Sequence, residues 1–299
     1  MNLFRRVLSA VSPALLLFLT PACAAKEAAA PAAVVKARPA LWKIVDKDTT
    51  IYLFGTIHIL PPGIDWYNGP VAKAFESSDT LVTEILEPTD PETQARIAKV
   101  ALADPPRNLR EALPADVRKK YEAALASMQL PVSAFDANDP WYAAVALSTL
   151  PILKDGFGTM NGAEAQLVAR ANGKEHLALE TAEQQLGLFD SLPQATQVTY
   201  LNEVLDSFPD VRKEILQMVE AWKTGKADEL AKLMNEEESD PLLMKVLLVD
   251  RNKAWARWIE QRLQQPGTVF IAVGAGHLAG KDSVQKQLAA DGVKTKRMR

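Results

Sequence analysis

The sequence predicts a mixed α/β domain: a central mixed β-sheet flanked by helices, with a long helical insertion. Three observations predict it. Short β-rich runs alternate with segments of helical periodicity. The stretch from about 91 to 234 is almost entirely helical in pattern. The chain has 299 residues, 48% of them apolar, enough to bury a full core without disulfides or a structural metal cluster.

The N-terminus carries Arg5 and Arg6, an apolar run from Val7 to Leu19, and the small-residue stretch Thr20-Pro21-Ala22-Cys23-Ala24-Ala25. That order is the charged region, apolar region and cleavage site of a secretory leader, so residues 1–24 read as a signal peptide and the product as periplasmic or secreted. No segment reaches the roughly 18 consecutive apolar residues of a membrane-spanning helix. Cys23, the sole cysteine, excludes an internal disulfide and a thiolate zinc site. It stands where a bacterial lipoprotein carries its acylated cysteine, yet Thr20 takes the place of the expected Leu. Both products stay open: a soluble one cleaved after Ala24 or Ala25, and one lipid-anchored at Cys23. Residues 25–39 are mostly Ala, Pro and Val, a composition that cannot offset its ordering entropy, and read as a disordered tether. A single domain is expected over 40–299.

That domain opens with Leu41–Val45 and Thr50–Phe54, two β-rich runs around the turn-forming Asp46-Lys47-Asp48-Thr49. Further strands are expected at Thr80–Thr83, His176–Leu179, Thr268–Val273 and Val293–Thr295. Helices are expected at Gly69–Ser77, Pro91–Ala103, Ala115–Met128, Trp141–Leu150, Ala163–Ala171, Pro193–Asp206, Asp210–Lys223, Ala227–Met234 and Leu242–Gln264, several starting at Pro or Asp.

The 34 basic residues stand against 37 acidic ones with no basic stripe, which argues against a nucleic-acid partner. One short echo stands out: Ile51–His58 and Phe270–His277 each run apolar strand, Gly, two residues, His. A glycine after a buried strand lets the chain turn at the carboxyl edge of a sheet, where open α/β folds bind ligands. Gly55 and Gly274 would so deliver His58 and His277 to one edge, and Glu84 and Glu180, at the ends of their strands, would join them. Two imidazoles with one or two carboxylates suit a divalent metal. Each residue also has a plainer reading. A lone Gly-x-x-His is more often a capped turn, Glu84 and Glu180 suit solvated strand ends, and Glu180 suits the acidic start of the following helix. Arg251 suits a carboxylate or oxyanion clamp, or a solvent-facing helix position. Asn252 sits beside it. Trp255 and Trp258 read as core, and His176, inside a strand, as structural.

Leu53–Gly63, the strand ending in Glu84, Leu179–Gln184, Asp250-Arg251-Asn252 and Val273–Leu278 together resemble the signature segments of the TraB/PrgY/GumN family, over nearly everything from Leu41 to Arg297. The resemblance implies the mixed α/β fold of a clan that includes erythromycin-esterase-like and ChaN-like proteins. Tiki-like members are metal-dependent proteases whose catalytic groups are the two histidines and the glutamate. Carried over, this makes His58, Glu84 and His277 the core of the site, with Glu180, Arg251 and Asn252 in support. One departure lies at Gly158–Gly162, where Asn161 stands in place of the charged residue that relatives present ahead of a helix.

The expectation is an exported hydrolase of a peptide or other small amide or ester substrate, using Mn²⁺, Co²⁺ or Zn²⁺. Glu84 would ligate the ion or act as base, and Arg251 would steady the oxyanion. Two alternatives stand beside it: a metal-free esterase, and a binding protein that sequesters a peptide signal, haem or another small ligand without turnover.

Overall fold

The computed structural model describes residues 34–235 and 240–298. The expected leader, Cys23 and most of the expected tether lie outside the described residues.

Eight strands are described: β1 (Val35–Lys36), β2 (Leu41–Val45), β3 (Thr49–Thr56), β4 (Ile64–Asp65), β5 (Thr80–Thr83), β6 (Glu175–Ala178), β7 (Gly267–Gly274) and β8 (Lys296–Arg297). Six of them form one sheet in the order β6-β5-β7-β3-β2-β8. β6, β5, β7 and β3 are parallel, while β2 runs antiparallel to β3 and β8 antiparallel to β2. The domain is therefore mixed α/β with a mixed central sheet, as the alternation of patterns predicts.

The near-continuous apolar runs of β3 and β7 follow from burial on both faces. Successive side chains of a strand point to opposite faces. Phe54, Phe270 and Ala272 accordingly join one core cluster, while Leu53, Val269, Ile271 and Val273 join another.

The first face is covered by the helical block. It comprises α1 (Gly69–Glu76), α2 (Pro91–Val100), α3 (Leu109–Ala112), α4 (Ala115–Ser127), α5 (Pro140–Lys154), α6 (Ala163–Arg170), α7 (Ala182–Asp190), α8 (Gln194–Ser207), α9 (Val211–Lys223), α10 (Ala227–Asn235) and α11 (Pro241–Met244). Trp141 stacks on Phe189 in this layer at 5.6 Å between centroids. The second face is covered by α12 (Asp250–Arg262) and α13 (Val284–Ala290), through Trp255, Ile259, Val284 and Leu288. Among the described residues no helix is long and apolar enough to cross a membrane.

Three expectations need correction. Order begins before Ala40: Val35 and Ala37 donate their N–H groups to the carbonyls of Gly63 and Asp65, so the end of the expected tether forms β1 against β4. Backbone pairing supplies there what the composition cannot. The last strand lies at Lys296–Arg297 and not at 293–295, because its register is set by Trp42 and Lys43 of β2. The helix expected over Leu242–Gln264 is divided into α11, a π-helical turn at Lys245–Val249, and α12.

Ile271 lies at the centre of β7, paired with Leu53 on one side and Val82 on the other, and 1% exposed. Ile271→Ala is expected to cost about 2–5 kcal/mol, seen as a lower urea midpoint at unchanged slope. A loss below about 1 kcal/mol would show the two-sided core to be less tightly packed than described.

Candidate functional site

β3 and β7 are parallel neighbours whose last residues, Thr56 and Gly274, are paired, so the two Gly-x-x-His turns leave the same edge side by side. Gly55 permits this. A Cβ there would come within 3.0 Å of the Ala275 backbone. Its carbonyl also accepts a hydrogen bond from the Trp222 indole at 2.7 Å. His58 and His277 are both fully buried, and both lie within reach of the Arg251 charge.

Glu84, directly after β5, is buried and accepts three hydrogen bonds. Oε1 takes the N–H of Gly274 at 2.7 Å; Oε2 takes Nε2 of Gln185 at 2.9 Å and Nη2 of Arg251 at 2.7 Å. Arg251, near the start of α12, is 4% exposed and joins the whole edge. Its Nε and Nη2 donate to Glu180 at 2.9 to 3.1 Å. Its Nη1 reaches the carbonyl of Leu247, within the π turn, at 3.2 Å and Nε2 of His277 at 3.1 Å. Burial acts to lower the Arg251 pKa, but the carboxylates of Glu180 and Glu84 outweigh it and raise the pKa further. The guanidinium is permanently charged.

That charge fixes the state of His277. Nδ2 of Asn252 donates to the carbonyl of Asp282 at 2.7 Å, which leaves Oδ1 facing His277 Nδ1 at 2.6 Å. An amide oxygen only accepts, so Nδ1 carries the proton and the Nε2 lone pair receives Arg251. Burial, then the charge of Arg251, holds the His277 pKa well below its usual value. Trp255 lies against the imidazole at 4.3 Å between centroids and donates its indole N–H to Glu180 at 3.0 Å.

His58 differs. Neither ring nitrogen has a hydrogen-bond partner among the described residues, although Nδ1 lies 3.4 Å from Oε2 of Glu164. Burial, with the charge of Arg251, lowers its pKa to about 3, so the ring is neutral. Glu164, in the first turn of α6, is itself buried. It comes this close because a Cβ at Gly162 would stand 2.1 Å from the His58 carbonyl oxygen, so only glycine lets α6 abut the His58 turn.

The structure thus gathers His58, Glu84, Glu180, Arg251, Asn252 and His277 at one edge, flanked by Gly55 and Gly274. Arg251 is buried, not solvent-facing, and Glu180 spends both oxygens on Arg251 and Trp255 rather than standing solvated. Sequence reasoning missed Glu164 and Gln185. The first sits three residues after Asn161, in the first turn of α6; the second directly follows the Thr181–Gln184 capping box of α7 and carries no local signal of its own. Trp255 was read as core, and is, but it also touches both Glu180 and His277. His176 lies apart from these residues. Thr83 donates its hydroxyl to the Ile85 carbonyl, so His176 Nε2–H donates to that hydroxyl at 2.9 Å, a structural contact.

As placed, no group of three or more His, Cys, Asp or Glu among the described residues could hold a metal ion. In kind the residues fit one: His58 is neutral with an open lone pair, and the Glu164 carboxylate lies 3.4 Å from its ring. In position, Arg251 stands on two of the expected ligands, Glu84 and His277.

The model of the TraB/PrgY/gumN family matches residues 40–297. The chain belongs to the TraB/PrgY/gumN family. An uncharacterized protein of Treponema pallidum (strain Nichols) is 21% identical, over 89% of this chain and 85% of that one. Metalloprotease TIKI1 of Danio rerio is 24% identical, over 84% of this chain and 61% of its own length. No solved structure matches. Both relatives align over most of this family domain, at identities where side-chain roles have to be argued from geometry.

Two predictions follow from the burial of this edge. Gly162→Ala is expected to destabilise the fold by about 1–3 kcal/mol, since the clash is with backbone; a thermal melt within error of the parent would overturn the close approach. The second concerns pH. All three histidines have folded pKa values lowered chiefly by burial, against about 6.5 when unfolded. The unfolded chain therefore binds more protons below that pH, so stability is fully present above it and lost as pH falls. Each imidazole adds a slope of up to about 1.4 kcal/mol per pH unit. Urea midpoints should fall between pH 7.5 and 5.5, and His176→Asn should flatten the fall; equal midpoints would refute the neutral, buried imidazoles.

Proposed function

We propose that the protein is an exported hydrolase of peptide bonds, or of other amide or ester bonds, and that a divalent ion assists it. The observation that carries this reading is His58. An imidazole with two unsatisfied nitrogens in a protein interior costs about 1–3 kcal/mol per group, and such a group calls for a partner that completes it. The similarity to a protein named a metalloprotease supports the same reading, and the N-terminal sequence pattern supports export.

His58 would hold the ion, with Glu84 and His277 joining as Arg251 yields them. When bound, Mn²⁺, Co²⁺ or Zn²⁺ would polarise a scissile carbonyl and lower the pKa of water toward neutrality. The chain's own groups have distinct tasks. Asn252 keeps the Nδ1–H tautomer of His277. Gln185 and the Gly274 N–H aim the Glu84 carboxylate, and Glu164 lies beside His58 to orient it or to accept a proton. Arg251 places a fixed positive charge where an oxyanion would develop. The site is closed, with His58, Glu84 and His277 all fully buried, so substrate entry requires the His58 turn and the 158–164 segment to part.

A second reading, metal-free hydrolysis, is favoured by one specific contact set: Arg251 already supplies the positive charge at Glu84 and His277, leaving His58 and Glu164 to activate water.

Metal analysis of protein purified without chelator tests both, combined with turnover of a peptide mixture by the parent, His58→Ala and His277→Ala. The expected result is about one ion per chain, lost in His58→Ala, with turnover lowered about 10²-fold or more. Turnover that survives chelation but not His58→Ala selects the metal-free reading. Tight ligand retention without any turnover would sink the hydrolase and leave a binding protein.

A further inference from the structure

A cavity of about 660 Å³ lies at the other end of the same sheet edge. Its walls include Arg38, Leu41, Trp66, Val71, Arg297 and Met298, and none of the residues of the candidate site. Leu41 begins β2 and pairs with Phe54 near the end of β3, which places the cavity on the carboxyl edge of the parallel strands, where α/β folds take ligands. The volume falls in the range of small-molecule sites, about 300–1,000 Å³.

The chemistry of the wall is one-sided. No acidic side chain lines it. Neither Arg38 nor Arg297 forms an ion pair among the described residues. Arg297 spends one N–H on the Gly225 carbonyl at 2.7 Å and lies over the Trp42 ring at 4.7 Å; Asp228 contributes its field without pairing. Trp66 is buried against Phe54 and Trp222 and contributes an aromatic wall. Leu41, Val71, Met298 and Pro39 supply an apolar surface. Two exposed guanidinium groups without a carboxylate partner, at the rim of a cavity with apolar walls, suit an anion with a hydrocarbon body.

The Arg38 backbone and the Arg297 side chain converge on the turn after α9. Arg38 donates its backbone N–H to the Lys223 carbonyl at the end of α9. Gly225, at φ +69°, approaches so closely that a Cβ would lie 2.6 Å from the Arg38 carbonyl and 3.1 Å from Arg297 Nη2. The N-terminal segment, the turn after α9 and the C-terminal strand thus meet at one point.

We propose that this cavity binds an apolar carboxylate, with the carboxylate on Arg38 and Arg297 and the hydrocarbon body against Leu41, Val71 and Met298. Two sources share that chemistry, a free fatty acid and the last residue of a peptide with an apolar C-terminus.

Titration calorimetry of the full chain with decanoate and with N-acetyl-trileucine separates them, using decanol and N-acetyl-trileucine amide as uncharged controls. At least one acid should bind, with its uncharged counterpart about tenfold weaker or worse. The double variant Arg38→Gln, Arg297→Gln should lose affinity about tenfold, and His58→Ala should bind as the parent does. Decanoate alone identifies the free acid, the tripeptide alone a peptide C-terminus, and both the shared chemistry. Failure of both acids to bind at millimolar concentration would overturn the proposal, as would equal binding of an uncharged control. The latter outcome needs no variant to fold.

Discussion

A single buried guanidinium organises this protein's chemistry. Arg251 ties together the ends of β5 and β6 through Glu84 and Glu180, the π turn through the Leu247 carbonyl, and the turn after β7 through His277. Two carboxyl groups share one arginine in a desolvated place. Removing one partner from such a network strands a buried charge, typically at about 3–5 kcal/mol, so its members are held as a set. Burial first, and then the positive charge of Arg251, keeps both site imidazoles neutral, the state in which a histidine can accept a metal or a proton.

The network can exist because β3 and β7 are parallel neighbours. Parallel strands end at the same edge, so two similar strand-Gly-x-x-His segments, more than two hundred residues apart, deliver their imidazoles to adjacent positions. The alternation of side chains along these strands divides the core between a large helical layer and the pair α12 and α13. The helical layer brings Glu164 and Gln185 to the edge from one side, and α12 brings Arg251, Asn252 and Trp255 from the other. The candidate site is the seam between the two layers, which explains why it is so thoroughly buried.

Much of this was legible in the residues. β2 and β5 fall on their expected positions, and the helices start near the expected Pro and Asp residues, because local periodicity and capping decide those features. Elements whose existence depends on a partner were not legible. β1 forms because Gly63 and Asp65 offer carbonyls to an otherwise featureless tract, and β8 lies where β2 can pair with it. Glu164 looked like any acidic residue in a helix's first turn, and only the approach of Gly162 to the His58 backbone turns it into a buried neighbour of an imidazole.

By itself the sequence determined the α/β class, the two glycine-histidine turns and the residue types that meet at the sheet edge, since each is written in a few consecutive positions. Tertiary structure alone decided their partners: that Arg251 faces inward to clasp Glu84, Glu180 and His277, and that His58 is left with open nitrogens beside Glu164. The reason is physical. Burial and long-range hydrogen bonding depend on which surfaces the packed layers bring together, and no local pattern of side chains encodes that.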